Sequence, residues 1–389
     1  MMLKRTLISS CLAAALTIGL GSAAADAAAA TPAASAASST RYPELVARAD
    51  ALRAQLPQKS QAAAALDRIV GATQWSELAD NALNPGDYAC SGTALGQYLD
   101  AEIDKIDFGS LYILSVLGGL DLPSYDALVY GNSAATNTYG ANGEFTLKLT
   151  HDFRDQKKFW DVNSSSFDML PMHGADVFSS IERTERAAEI LYGPGPTARA
   201  VAELLYTVVH SDPALQKGAH PLFTFNAFAF PGYAPLGIPE RIVMGDGIMQ
   251  GMQAVGLGEN GPRAILAHEF GHQVQFKKNL FDSPLTGAEA TRRTELMADA
   301  FATYYLTHSR GLSLNAKRLL PSQKSFYEVG DCGFASDGHH GTPTQRLRSA
   351  SWGASVADSA QKQGHIQPSL SLAARFDAAL PELTRPDAP

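Results

Sequence analysis

The segment His268-Glu269-Phe270-Gly271-His272 sets two imidazoles four residues apart, with a carboxylate next to the first. On a helix of 3.6 residues per turn such positions lie about 40° apart around the axis, so both rings leave one face. Two nitrogen donors on one face suit a shared tetrahedral zinc. Glu269, about 100° round from His268, stands beside that ion, where a carboxylate can take a proton from water. The flanks are apolar: Ala264, Ile265, Leu266 and Ala267 precede the motif, and Val274 follows it. A helix this apolar is expected to be buried, and three polar groups inside it need a reason to be there. A metal ion supplies one.

A second polar pair lies downstream, in Glu295-Leu296-Met297-Ala298-Asp299-Ala300-Phe301-Ala302. Glu295 and Asp299 share one helix face among small and apolar residues. Glu295 is the candidate third ligand. Asp299, one turn on, is placed to accept an N–H from a ligating imidazole and fix its tautomer. Ala298, Ala300 and Ala302 let two helices approach closely. An amphipathic helix with an acidic edge has the same spacing. The pairing with the histidine motif is what favours one Zn2+ per chain.

These side chains need two helices, expected over residues 261–278, with Pro262 in the first turn, and over 288–309. Before them, residues 223–230 alternate as a strand and stop at Pro231-Gly232; Ile242, Val243 and Met244 form a second short strand. The pair reads as a hairpin. Two uses stand open for it: a plain core hairpin, or an edge at Asn226, Ala227 and Phe228 that binds substrate backbone by strand addition. Further upstream, apolar spacing predicts helices over 44–56, 60–83, 93–106, 110–117, 178–191 and 198–210. Residues 121–143 read as loop and 144–149 as a strand. Downstream, helices are expected over 314–329 and 343–361, separated by a Gly-rich loop over 330–341. There is no internal repeat.

A chain of 389 residues suffices for one large domain or two smaller ones. Lys4 and Arg5 precede an apolar stretch over residues 6–20, and Ala-x-Ala sites follow at residues 23–27. This predicts a bacterial signal peptide over 1–25 and a periplasmic or secreted product. Residues 26–40, almost wholly Ala, Ser, Thr and Pro, predict a disordered tether. A helical region over 41–130, a catalytic domain over 131–363 and a tail over 364–389 complete the expected organisation. No later stretch is apolar for about 18 residues, so no membrane span is expected. The net charge is −8, which argues against nucleic acid as a partner and leaves a peptide or polypeptide substrate, or a cell-envelope partner. Cys90 and Cys332 are the cysteines beyond the signal segment. In an oxidising compartment they form one disulfide or remain two buried thiols.

Residues 223–348 resemble the gluzincin family that includes the integral-membrane CAAX prenyl protease and its soluble periplasmic and mitochondrial relatives. Four motifs carry the resemblance: Asn226-Ala227-Phe228-Ala229-Phe230-Pro231-Gly232 with Ile242-Val243-Met244, then Ala267-His268-Glu269-Phe270-Gly271-His272, then Glu295-Leu296-Met297-Ala298-Asp299, then His340-Gly341-Thr342-Pro343 with Gln345-Arg346. The combination is also similar to bacterial putative neutral zinc metallopeptidases. It implies an α+β, mostly helical, zincin-like core with a small sheet before the metal helix. It implies zinc on His268, His272 and Glu295, Glu269 as general base, and His340 near the transition state, with His339 the alternative. The chain lacks the prenyl protease's membrane helices, and Gly-Thr-Pro follows its late histidine where the family has Pro directly. The expectation is a secreted zinc metallopeptidase, an endopeptidase. Its rivals are an envelope binding module with a structural zinc, and an amidase acting on peptidoglycan stem peptides.

Overall fold

The computed structural model describes residues 40–71, 92–131, 137–330, 340–361 and 365–386. The expected signal peptide, nearly all of the tether, Cys90 and Cys332 lie outside the described residues. The chain is mostly helical with one three-stranded sheet. None of its described helices is long and apolar enough to cross a membrane.

The N-terminal part folds as α1 (Pro43–Arg53), α2 (Gln61–Gly71), α3 (Ala94–Ile103), α4 (Phe108–Val116) and α5 (Leu122–Val129). Then come α6 (Thr146–Phe159), β1 (Asp168–Met172), the single turn α7 (Gly174–Val177), α8 (Ile181–Tyr192) and α9 (Pro196–Ser211). After β2 (Ala227–Phe230), β3 (Arg241–Gly245) and α10 (Asp246–Ala254) come the two expected site helices, α11 (Gly261–Lys278) and α12 (Gly287–Thr307). The chain closes with α13 (Ala316–Glu328), α14 (Pro343–Gln361) and α15 (Ser369–Leu383).

Two large apolar cores result among the described residues, with a small third cluster of Ala127, Met172 and Val243. One gathers the site helices with α6, α13, α14 and α15, around Phe270, Leu296, Phe301, Tyr304 and Phe326. The other joins residues of α1 to α5 with residues 177–238, around Tyr112, Leu114, Phe178, Leu205 and Phe230. The boundary expected at 130/131 therefore runs through the second core.

β3 is the central strand, parallel to β1 and antiparallel to β2, with Ala227 opposite Met244 and Phe230 opposite Arg241. β2 and β3 are the expected hairpin partners, but the strand is shorter than the alternation of residues 223–230 suggests. Pro221–Thr224 winds as a 3-10 turn, with Phe223 and Thr224 buried, and only Ala227–Phe230 pairs. β1 carries no sequence alternation and includes Pro171, which an edge strand tolerates because its missing N–H costs no ladder bond.

Three further segments differ from expectation. Residues 144–149 form the turn that leads into α6, with Phe145 its N-cap, and the first residues of that helix, not a strand. Phe145 and Leu149 are buried at i and i+4 while Leu147 between them is 87% exposed, which is helical periodicity misread as alternation. Helix α5 lies inside the expected loop over 121–143, with Leu122, Tyr125 and Leu128 buried on one face; the Gly and Asn content that suggests a loop belongs to the residues after it. The expected C-terminal tail contains α15, which buries Leu372, Ala373 and Phe376. Pro368 at its N-cap is a helix start that reads like a breaker.

α11 is held in place at several points. Pro262 sits in its first turn, Lys277 and Lys278 in its last, and Asn279 ends it in the left-handed conformation at φ 53°. The Arg263 guanidinium pairs with buried Asp152 of α6, Nη2 to Oδ1 at 2.8 Å. The Gln273 amide donates to Phe230 O at 2.9 Å and Arg241 O at 2.8 Å, which fastens the helix to the sheet. Gly271 faces α12: a Cβ there would stand 3.2 Å from the Ala298 backbone, so the glycine and alanine together permit the close crossing.

Candidate metal centre

The crossing of α11 and α12 brings His268, His272 and Glu295 together, all buried. The two imidazole Nε2 atoms are 3.0 Å apart. Glu295 Oε2 lies 3.2 Å from His268 Nε2, and Oε1 lies 3.3 Å from His272 Nε2. Donors that share one tetrahedral zinc at about 2.0–2.1 Å stand about 3.3 Å from one another. The three side chains already match that spacing.

The far nitrogen of each ring is occupied. His268 Nδ1 donates to Asp299 Oδ1 at 2.8 Å, and His272 Nδ1 donates to Gln275 Oε1 at 2.7 Å. Each neutral ring therefore presents a bare Nε2 to the centre. Two lone pairs at 3.0 Å repel unless a cation lies between them. Without a metal a proton fills that role. Burial lowers the His268 pKa, but the Asp299 and Glu295 acceptors outweigh it and push it up to about 10. The cluster can hold a metal ion.

Asp299, wholly buried, is itself gripped by Arg346 through Nη2 to Oδ1 at 2.7 Å and Nε to Oδ2 at 2.8 Å. This bidentate fork fixes the carboxylate that fixes His268. Arg346 reaches it from the first turn of α14, where Thr342 and Gln345 form a reciprocal capping box. Thr342 N donates to Gln345 Oε1 and Gln345 N donates to Thr342 Oγ1, both at 3.1 Å. Gly341 before it has φ 104°, a conformation that favours glycine. The late Gly-Thr-Pro-x-Gln-Arg run is thus a helix start that delivers a guanidinium.

Glu269 is 6% exposed, and no hydrogen-bond donor among the described residues meets its carboxyl. Burial raises its pKa, and the nearby His268 and His272 offset part of that. For Glu295 burial acts upward too, but His272, His340 and the His268 hydrogen bond hold it well below the usual carboxylate range. His340 is half-buried and lies within electrostatic reach of Glu295. His339 is outside the described residues.

With the histidines neutral and Glu269 ionised, three carboxylates face one guanidinium. The formal charge of the cluster is then −2, which a divalent cation neutralises.

Asn226 precedes β2 and its carbonyl accepts from Gly245 N at 3.0 Å. Ala227, Phe228 and Ala229 are half-buried, and β2 packs against α11. β3 covers one side of β2; among the described residues no strand pairs with the other. Other described histidines have ordinary partners: His151 with Asp155, His173 with Asp246, His210 with Tyr206 O, His308 with His365 O, and His220 with Glu102 O and Leu222 N.

Sequence reasoning assigned no role to Gln275 or Arg346. Gln275 sits three residues after His272, a spacing that puts side chains on one helix face and could have flagged it. Arg346 is 47 residues from Asp299, so no local spacing announces their contact.

No family model, curated protein or solved structure matches this chain.

Proposed function

We propose that the protein is a zinc-dependent peptidase of the gluzincin kind, exported to the periplasm or beyond. One observation carries the reading. Two Nε2 atoms and a carboxylate converge at the spacing of one small ion, with both Nδ1 positions held by acceptors. Two imidazoles in the donor set favour zinc over the oxygen-seeking magnesium and calcium. Among the described residues the cluster offers three protein donors, the number found in catalytic zinc sites, whereas structural sites are closed by four and are rich in cysteine.

When bound, zinc supplies a Lewis acid and lowers the pKa of water toward about 7. The chain's own residues do the rest. Glu269 takes the proton from the water that attacks the scissile carbonyl carbon, and later delivers it to the departing amine nitrogen. Its burial, with no hydrogen-bond donor to it among the described residues, suits a base whose pKa must rise toward neutrality. His340, beside Glu295, donates toward the oxyanion that forms on the substrate. The edge of β2 away from β3, at Ala227 and Phe228, pairs with extended substrate backbone, which makes the substrate an unfolded or loop segment. The zincin-like core is part of the same proposal.

The test is hydrolysis of a denatured protein by the purified chain. Cleavage that stops with a chelator and returns with zinc is expected. Activity on cell-wall stem peptides alone would select the amidase reading. A metal-loaded chain that cleaves neither would favour a binding module.

A further inference from the structure

The two histidines of the cluster are supported in different ways. Asp299, an anion neutralised by Arg346, stands behind His268. A neutral amide, Gln275, stands behind His272. The orientation of that amide follows from its second contact. Gln275 Nε2 donates to Thr294 O at 2.8 Å, and a carbonyl can only accept, so Oε1 is the atom that faces His272. Gln275 is fully buried, so neither bond is shared with solvent. Thr294 is the residue just before Glu295. The amide thus spans from one ligand's ring on α11 to the backbone that carries another ligand on α12.

We infer that Gln275 is a positioning residue for the metal centre, resting on the proposed metal-binding role of the cluster. It sets the Nδ1–H tautomer of His272, so that Nε2 faces the centre bare. It also sets the offset between the two helices at the point where their ligands meet. The Gly271–Ala298 crossing lies nearby and permits close approach, but it leaves rotation of the His272 ring unspecified. Gln275 supplies that restraint without adding charge. With an acid there instead, the formal cluster charge would be −3, beyond what a divalent ion neutralises.

The experiment is zinc affinity of the full-length protein by chelator competition, with visible absorption of the cobalt-substituted form, for wild type, Q275L and Q275E. Q275L is expected to bind zinc 10- to 100-fold more weakly, the usual cost of removing such a partner, and to show an altered cobalt spectrum. Q275E keeps an acceptor for His272 but loses the donor to Thr294 O, so its zinc affinity and cobalt spectrum are expected to fall between those of wild type and Q275L. Q275L within twofold of wild type would overturn the inference, and so would equal losses in both variants. If Q275L fails to fold, Q275E decides alone: an affinity and a cobalt spectrum both unchanged from wild type would count against the inference, because the bond to Thr294 O is gone. Wild-type protein that binds no zinc would sink the proposed function itself, a separate outcome.

Discussion

Replacement of Glu269 by Gln should leave zinc bound at one equivalent per chain and lower kcat by about 10²–10⁴, the usual contribution of a positioned general base. The geometry separates the two effects. Glu269 is not one of the three converging donors, so the metal affinity does not depend on it directly. Its carboxyl is buried beside them, with no hydrogen-bond donor to it among the described residues, so the amide fits the same space and removes only the basicity. KM should change little, because the substitution leaves untouched the β2 edge proposed to pair with substrate backbone. Metal analysis alongside steady-state kinetics on a denatured protein measures both. Equal turnover by variant and wild type would remove Glu269 from the reaction. Loss of zinc together with activity would make it a ligand instead.

Arg346→Leu should be the most damaging single change to stability near the site. It leaves the Asp299 carboxylate, 0% exposed, with one partner in place of two. Breaking a buried pair from one side costs about 3–5 kcal/mol. The loss should be largest without metal, when no divalent cation offsets the negative charge that the guanidinium otherwise balances. Added zinc should recover part of it. The double variant Arg346→Leu/Asp299→Asn retains an acceptor for His268 Nδ1 without a buried unpaired charge, and should regain much of the stability. Chemical denaturation of the four combinations, with and without zinc, gives the coupling. A single variant within about 1 kcal/mol of wild type would show that the fork contributes little, as an exposed pair would.

The site was more legible in the sequence than the fold around it, for a physical reason. His268, His272 and Glu269 sit within one helical turn, and Glu295 with Asp299 within another, so the 3.6-residue period alone assigns their faces. The buried helices α11 and α12 also keep their own hydrogen bonds, so apolar runs with a Pro start and Asn or Gly ends mark their extents closely. What the period cannot give is contact between distant segments. Arg346 reaches Asp299 only because α14 packs on α12. β1 exists only because β3 pairs with it; its Asp-Met-Leu-Pro-Met has no strand pattern of its own. The strand expected at 144–149 failed because three apolar residues at alternate positions fit both periods over so short a span, and the burial of Phe145 and Leu149 on α6 decided it. The roles of Thr342 and Gln345 in capping α14 also emerge only in three dimensions, although their spacing is that of a capping box.

Zinc content of the purified full-length protein, measured beside Glu295→Ala, tests the central claim most directly. The account predicts one zinc per wild-type chain after reconstitution at neutral pH, and its loss or marked weakening in the variant, because the Glu295 carboxylate faces both Nε2 atoms, Oε2 toward His268 and Oε1 toward His272. A wild-type chain that takes up no zinc, or a variant that holds it as tightly as wild type, would contradict it.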